Sequence, residues 1–273
     1  MAIVTVSRET AALGDETAHE LAKQLNYRLV DKYALEEHIK SYGITSRKFE
    51  KYDEKKPSFL ASLSHGRDDY LHFLKSAILS EAGQGNAVFI GRGVGAILKR
   101  VPGVFSIFLA SQPEISIERV KKSFNCDEKQ ARQIIEHSDR DREGFHQYFF
   151  DLSWKDVDNY HLALNTGYLQ PEHCAGVVKS MLNSVITKDI EGKCLERIRE
   201  LTMEQQIKHQ ILYEKSITIH FLEVSVTGNQ VILYGVTNNQ STIDEVLSIV
   251  KELAPEASIQ SEIQVVLEYG IYS

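Results

Sequence analysis

The chain has 273 residues, 42% of them hydrophobic, with 31 Lys and Arg against 38 Asp and Glu for a net charge of −7. That length allows one substantial core and a second, smaller one. No apolar run approaches the roughly 20 residues that span a membrane, and the N-terminus reads as a strand rather than a basic, then apolar, leader. Cys126, Cys174 and Cys194 are odd in number, widely spaced and without a C-x-x-C pair, which argues against a disulfide framework or a zinc site. A soluble, cytoplasmic protein with reduced, packing cysteines is expected. From Ser216 to Ser273, Lys251 is the only cation against seven acids. Arginines able to meet phosphate groups therefore lie in the earlier part, and non-specific nucleic-acid binding by the acidic tail is not expected.

The first element is Ala2-Ile3-Val4-Thr5-Val6, a β-rich run stopping at Ser7, as buried parallel strands look. A helix follows from Asp15 or Glu16, with Thr17, Ala18, Leu21, Ala22 and Leu25 on one face and acids suited to its N-terminus. The polar, small-residue loop between them ends at Gly14, and the unpaired N–H groups at the helix start outline an anion site. A working phosphate loop reads G-x-x-x-x-G-K-[ST]: the lysine reaches the β and γ oxygens and the hydroxyl holds magnesium. When Ala11-Ala12-Leu13-Gly14-Asp15-Glu16 is laid on the variant G-S-G-K-S-T, Gly14 takes the lysine position and Asp15 the hydroxyl position. Ala11 and Leu13 replace two glycines. An ordinary α/β crossover turn with no ligand is the competing reading.

A second strand, Tyr27 to Val30, ends at Asp31, where an open parallel sheet places site residues. Ser41 to Arg67 is charged and irregular, as a mobile excursion would be, and a helix from about Asp69 to Ala82 precedes a third strand, Ala87 to Ile90. Gly91-Arg92-Gly93 follows at that strand's C-terminal edge, where an arginine can bind an anion bidentately; a surface arginine in a turn is the plainer alternative. Val104 to Leu109 reads as a strand, and Ser111-Gln112-Pro113-Glu114 as a capping-box helix start. A long helix is expected from Asp127 to about Phe150. Arg140 and Arg142, two apart, cannot share one face of it, so either the helix breaks or only one reaches a given ligand. The surrounding charge run has the look of a solvated face. Tyr148, Phe149, Phe150 and Trp154 suit packing better than stacking on a base. A strand from His161 to Leu164 and a helix from Pro171 to Ser184 complete a doubly wound α/β domain, a parallel sheet with flanking helices.

Beyond it, a polar helical pattern from Cys194 to about Tyr213 leads to Ile217, Ile219 and Phe221 in alternation, a hairpin turn at Thr227-Gly228-Asn229 and a strand over Val231 to Val236. Ser241 is expected to cap a helix bearing Ile243, Val246, Leu247, Val250 and Leu253, and Ile263, Val265 and Leu267 a last strand. This small α+β module offers no nucleophile, metal cluster or glycine loop.

Residues from about Ala2 to Leu182 resemble the cytidylate kinase-like proteins, a branch of the P-loop nucleoside monophosphate kinases. The resemblance is carried by Thr5-Val6-Ser7-Arg8-Glu9, Leu29-Val30-Asp31-Lys32, Val88-Phe89-Ile90-Gly91-Arg92-Gly93, and Asp139-Arg140-Asp141-Arg142 followed by Trp154 and Asn159-Tyr160 up to Leu164-Asn165-Thr166. It implies two domains, 1–190 of this kind and 191–273 resembling a BON domain, a small module associated with ligand, lipid or partner binding. By that resemblance Ser7, Arg8, Gly14 and Asp15 belong to the donor nucleotide's loop, Asp31 lies near the acceptor, Arg92 binds the acceptor phosphate, and Arg140 and Arg142 are lid arginines acting in catalysis. ATP with Mg2+ as donor and CMP or a related monophosphate as acceptor are implied. The chain departs from the branch's Gly-Ser-Gly-Gly-Arg type of loop, and His161 stands where an acid is common. Two functions are therefore carried forward. One is a nucleotide-binding phosphotransferase. The other is a catalytically impaired pseudokinase, a nucleotide sensor or assembly module whose C-terminal domain meets a protein partner or a second copy.

Overall fold

The computed structural model describes residues 1–41 and 66–266. Most of the excursion expected between Ser41 and Arg67, and Leu267 of the last strand, lie outside them. The chain divides into two compact units, Met1–Leu195 and Glu196–Ser273.

The first unit is built on five parallel strands: β1 (Ile3–Arg8), β2 (Arg28–Val30), β3 (Ala87–Ile90), β4 (Val104–Ala110) and β5 (Leu162–Asn165), in the order β2-β3-β1-β4-β5. The helices are α1 (Gly14–Leu25), α2 (Lys32–Ser41), α3 (Gly66–Gly83), α4 (Val94–Ile97), α5 (Pro113–Phe124), α6 (Glu128–Phe150) and α7 (Pro171–Val185). The expected α/β architecture is thus observed. Alternation along β1 assigns its side chains to two faces. Val4 and Val6, with Val88, Ile90, Phe105, Ile107 and Leu109, pack against Ala18, Leu21 and Ala22 of α1 and Ala175, Val178 and Leu182 of α7. On the other face the Thr5 hydroxyl donates to Ser106 Oγ at 2.9 Å, and a Cβ added at Gly95 would lie 3.0 Å from Thr5 Oγ1.

Strand β1 runs past the stop expected at Ser7, because Ser7 and Arg8 pair with Phe108 and Leu109. Arg8 therefore stands at the sheet's C-terminal edge on the α1 face. Helix α6 is unbroken, and it opens on a full capping box in which Asp127 accepts from Gln130 N and the Gln130 side chain accepts from Asp127 N. Helix α5 differs from expectation: Pro113 fills its first turn, but Gln112 is the cap residue and makes no side-chain cap bond. Proline already supplies the φ and removes an orphan donor there. The aromatic segment packs, with Phe145, Phe149 and Trp154 buried.

The second unit takes most of α8 (Lys188–His209), a π-turn at Gln210–Glu214, strands β6 (His220–Thr227), β7 (Gln230–Thr237) and β8 (Ser258–Val265), and α9 (Gln240–Leu253). β6 and β7 form an antiparallel hairpin, with β8 parallel to β7 after the α9 crossover. Its core joins Ile207, Ile211, Val224, Val226, Leu233, Val246 and Val250. Two expectations are corrected. Asn239, not Ser241, caps α9, its side chain accepting from Thr242 N at 2.9 Å, because the helix starts two residues earlier and Ser241 falls inside its first turn. Phe221 does not follow Ile217 and Ile219 inward. The register shifts between His220 and Glu223, Phe221 adopts φ 56°, and its side chain is 86% exposed; such an irregularity re-aims a side chain.

Candidate functional site

The loop from Glu9 to Leu13 follows a left-handed path at the two positions where the phosphate-loop pattern has glycines: Ala11 has φ 62° and Leu13 φ 50°. Side chains have replaced the glycines while the backbone course remains, at a conformational cost that surrounding contacts must offset. Those contacts come from three elements. Arg119 of α5 donates to Ala11 O at 2.9 Å and to Thr166 O at 2.7 Å. Burial lowers the Arg119 guanidinium below its ordinary value, with Glu16 acting the other way. Asp139 of α6 accepts from Thr10 N at 2.9 Å and from Thr10 Oγ1 at 2.7 Å, and Arg142 donates to Thr10 Oγ1 at 2.7 Å and to Asp139 Oδ1 at 3.1 Å. Lys155 bridges Glu9 at 2.8 Å and Asp139 at 3.3 Å. Burial alone would lower the Lys155 ammonium, but hydrogen bonding to Glu9 and the Glu9 and Asp139 charges outweigh it and raise it above the ordinary lysine value.

Beside the start of α1 opens a cavity of about 420 Å³. Arg8, Lys32 and Arg142 line it, and so do Asp15, Asp31 and Asp141, over a floor that includes Ala18, Leu29 and Ile90. Three cations and three carboxylates thus line one cavity. The N–H groups of the first turn of α1 have no intrahelical acceptor, and the helix dipole adds positive potential there. Openings at the C-terminal edge of a parallel sheet are where such folds take ligands.

The structure brings together four of the residues singled out from sequence: Arg8, Asp15, Asp31 and Arg142. Asp31 also caps α2, its Oδ1 accepting from Tyr33 N at 2.9 Å and Ala34 N at 3.0 Å. Gly14 lies buried at the start of α1, beneath the Arg8 side chain. The other three lie elsewhere. Ser7 faces the opposite side of β1, beside Tyr160 and Trp154; burial pushes the Tyr160 phenol up to about 12, with its hydrogen bond to Ser7 acting the other way. Arg92 is 1% exposed at φ 57° and pairs with Glu36 of α2 at 2.8 Å. Arg140 is exposed. On the unbroken α6, only Arg142 of the two arginines faces the loop. His161 serves the sheet, its Nδ1 accepting from Ser106 N at 2.9 Å.

Comparison with protein-family models finds the cytidylate kinase-like family over residues 3–168, more than half of the chain. The chain belongs to the cytidylate kinase-like family. Among solved structures, it is similar to an uncharacterized protein from Eubacterium ventriosum at 20% identity, over 67% of this chain and 99% of that one, with a TM-score of 0.55. That likeness concerns the fold. A shikimate kinase from Bacteroides thetaiotaomicron is matched at 14% identity, over 67% and 98% of the two chains, with a TM-score of 0.41. No curated protein matches.

In this member of the cytidylate kinase-like family, several residues of the site escaped the sequence reading. His19 stands four residues after Asp15, one helical turn along the same face of α1, so its spacing was a usable signal. Lys32 directly follows Asp31. Asp139 and Asp141 were visible as part of a charge run and of a segment carrying the family resemblance, with no role of their own. Arg119 and Lys155 carried no local signal, since they reach the loop from residues over a hundred positions away. Among the described residues no group of three or more His, Cys, Asp or Glu could hold a metal ion by itself, and no helix is long and apolar enough to cross a membrane. Magnesium arriving on a nucleotide needs only one or two carboxylates besides the phosphate oxygens. Asp15, a hard oxygen ligand on the cavity wall at the hydroxyl position, fits that need.

Proposed function

We propose that this chain binds a nucleotide by its phosphate groups in the cavity beside α1, and that it transfers a phosphoryl group from ATP to CMP or a related nucleoside monophosphate. The observation that carries this reading is the convergence of Arg8, Lys32 and Arg142 beside the α1 N-terminus. Phosphoryl transfer asks a protein mainly to position its reactants and neutralise charge. In this reading Arg8 and the first turn of α1 hold the donor's phosphates, Asp15 holds the magnesium that accompanies them, and Arg142 follows charge on the transferring group from the lid helix. Magnesium, when bound, would neutralise the phosphate oxygens. Arg92, outside the cavity lining, takes the acceptor phosphate only by exchanging Glu36 Oε1 for a phosphate oxygen, while Asp31 lines the cavity itself. Ser7 and Arg140 lie outside the cavity and take no part in this reading.

A second reading is favoured by two features: the Asp139 carboxylate already occupies Thr10 N–H, and Asp15 adds negative charge where phosphates would sit. It makes the protein a pseudokinase that binds nucleotide without turnover and signals through its C-terminal domain, taken as BON-like, to a protein partner or a second copy. A coupled assay with magnesium, ATP and each common nucleoside monophosphate separates the two. Turnover above the blank with CMP or a relative is expected. Nucleotide binding by calorimetry with no turnover on any acceptor would leave the sensor reading in place, and absence of binding would reject both.

A further inference from the structure

The phosphate-loop pattern G-x-x-x-x-G-K-[ST] has a glycine six residues before its lysine. With Gly14 at the lysine position, that glycine position is Arg8. The two ends of the motif thus carry exchanged chemistry: the strand end has a cation where the pattern has no side chain, and the helix start has no side chain where the pattern has a cation.

The geometry gives the exchange a physical basis. The aliphatic stem of Arg8 lies directly over Gly14. A Cβ added at Gly14 would collide with Arg8 Cγ, and would lie 2.9 Å from Arg8 Cβ and 3.0 Å from Arg8 Cδ. Gly14 does not have a positive φ, so space rather than backbone conformation requires glycine here. While residue 8 is arginine, residue 14 has no room for a lysine. From the end of β1, Arg8 crosses the start of α1 and lines the cavity with Asp15, the residue at the hydroxyl position.

We propose that Arg8 is this loop's phosphate-gripping cation, delivering from β1 the charge that the pattern delivers from the first turn of the helix. The inference rests on the nucleotide reading of the cavity and deepens it. A guanidinium brings a planar fork of donors suited to two oxygens of one phosphate group. Its ligands are therefore chains of phosphates, such as the end of a nucleoside di- or triphosphate.

The test is a set of variants titrated calorimetrically with magnesium–ATP and with pyrophosphate as a base-free probe. Arg8→Gln keeps much of the stem over Gly14 and removes the charge; it is expected to weaken both probes about tenfold to a hundredfold while melting within a few degrees of wild type. Arg8→Lys should lose much less. Gly14→Lys alone should lower thermal stability through its collision with the Arg8 stem, whereas Arg8→Gly with Gly14→Lys, which restores the common arrangement, should recover most of the binding lost in Arg8→Gly. Wild-type affinity in Arg8→Gln, or a double variant as weak as Arg8→Gly, would overturn the exchange and leave the nucleotide reading standing. Failure of the wild-type protein to bind either probe would overturn both.

Discussion

Ala11 holds φ 62° in a loop whose pattern asks for glycine, and an L-residue there costs about 1–2 kcal/mol relative to the right-handed region. Glycine would remove that cost but give back part of it as extra freedom in the unfolded chain, about 0.5–1 kcal/mol. Ala11 is half-buried against Ile117, Val120 and Ala131, so the lost methyl offsets a little more. Ala11→Gly is accordingly expected to stabilise the protein slightly, by about 0.5 kcal/mol, in denaturant melts. A loss above about 1 kcal/mol would mean that the methyl's packing outweighs the strain. Asp15 presents the opposite balance: its charge suits the first turn of α1, worth about 0.3–1 kcal/mol, while lining the cavity where phosphates are proposed. It combines a stabilising position with a charge that repels bare phosphates and suits them only with magnesium between.

At the scale of elements, helix α6 and the loop it grips form one hydrogen-bonded unit through Asp139. Removing that carboxylate in Asp139→Ala takes the acceptor from Thr10 N, Thr10 Oγ1, Arg142 and Lys155. A loss of about 1.5–3 kcal/mol is expected, discounted because Lys155 is half-exposed, together with faster hydrogen exchange at the Thr10 amide. Unchanged exchange at Thr10 would show that α6 does not hold the loop. Lys155, with its raised folded value, contributes stability that is fully present below the ordinary lysine value of 10.5 and is lost as pH rises through the raised one. Legibility also divides by element. Ala87–Ile90 and Glu128–Phe150 were readable because an apolar run and a long helical pattern are local signals, whereas the capping box read at Ser111 is absent and one stands at Asp127 and Gln130 instead. The end of β1 was not: Ser7 and Arg8 extend the strand through pairing with β4, a contact between residues a hundred apart. For the same reason the sequence pointed to Arg8, Asp15 and Arg142 but not to Arg119 or Lys155, and it could not show that Arg92 is buried against Glu36.

At the scale of the molecule, the cavity-lining residues span Arg8 to Arg142 and lie within the first unit. Where that unit ends is a physical question with two answers: after residue 190, where the polar helical pattern is approached in sequence, or after Leu195. Three contacts favour the later point. Cys194 is buried, its Cβ 3.0 Å from where a Cβ on Gly103 would stand, and burial pushes its thiol up to about 11. Glu191 pairs with the N-terminal ammonium at 3.4 Å. The same carboxylate adds to burial in raising the Tyr27 phenol. A fragment of residues 1–190 forfeits all three and uncovers the apolar ground beneath Cys194, whereas residues 1–195 keep them. The shorter fragment is therefore expected to be less stable by about 1–3 kcal/mol, read as a lower denaturant midpoint at equal slope. Equal midpoints would instead place the boundary at 190 and make residues 191–195 part of the acidic unit's leading helix.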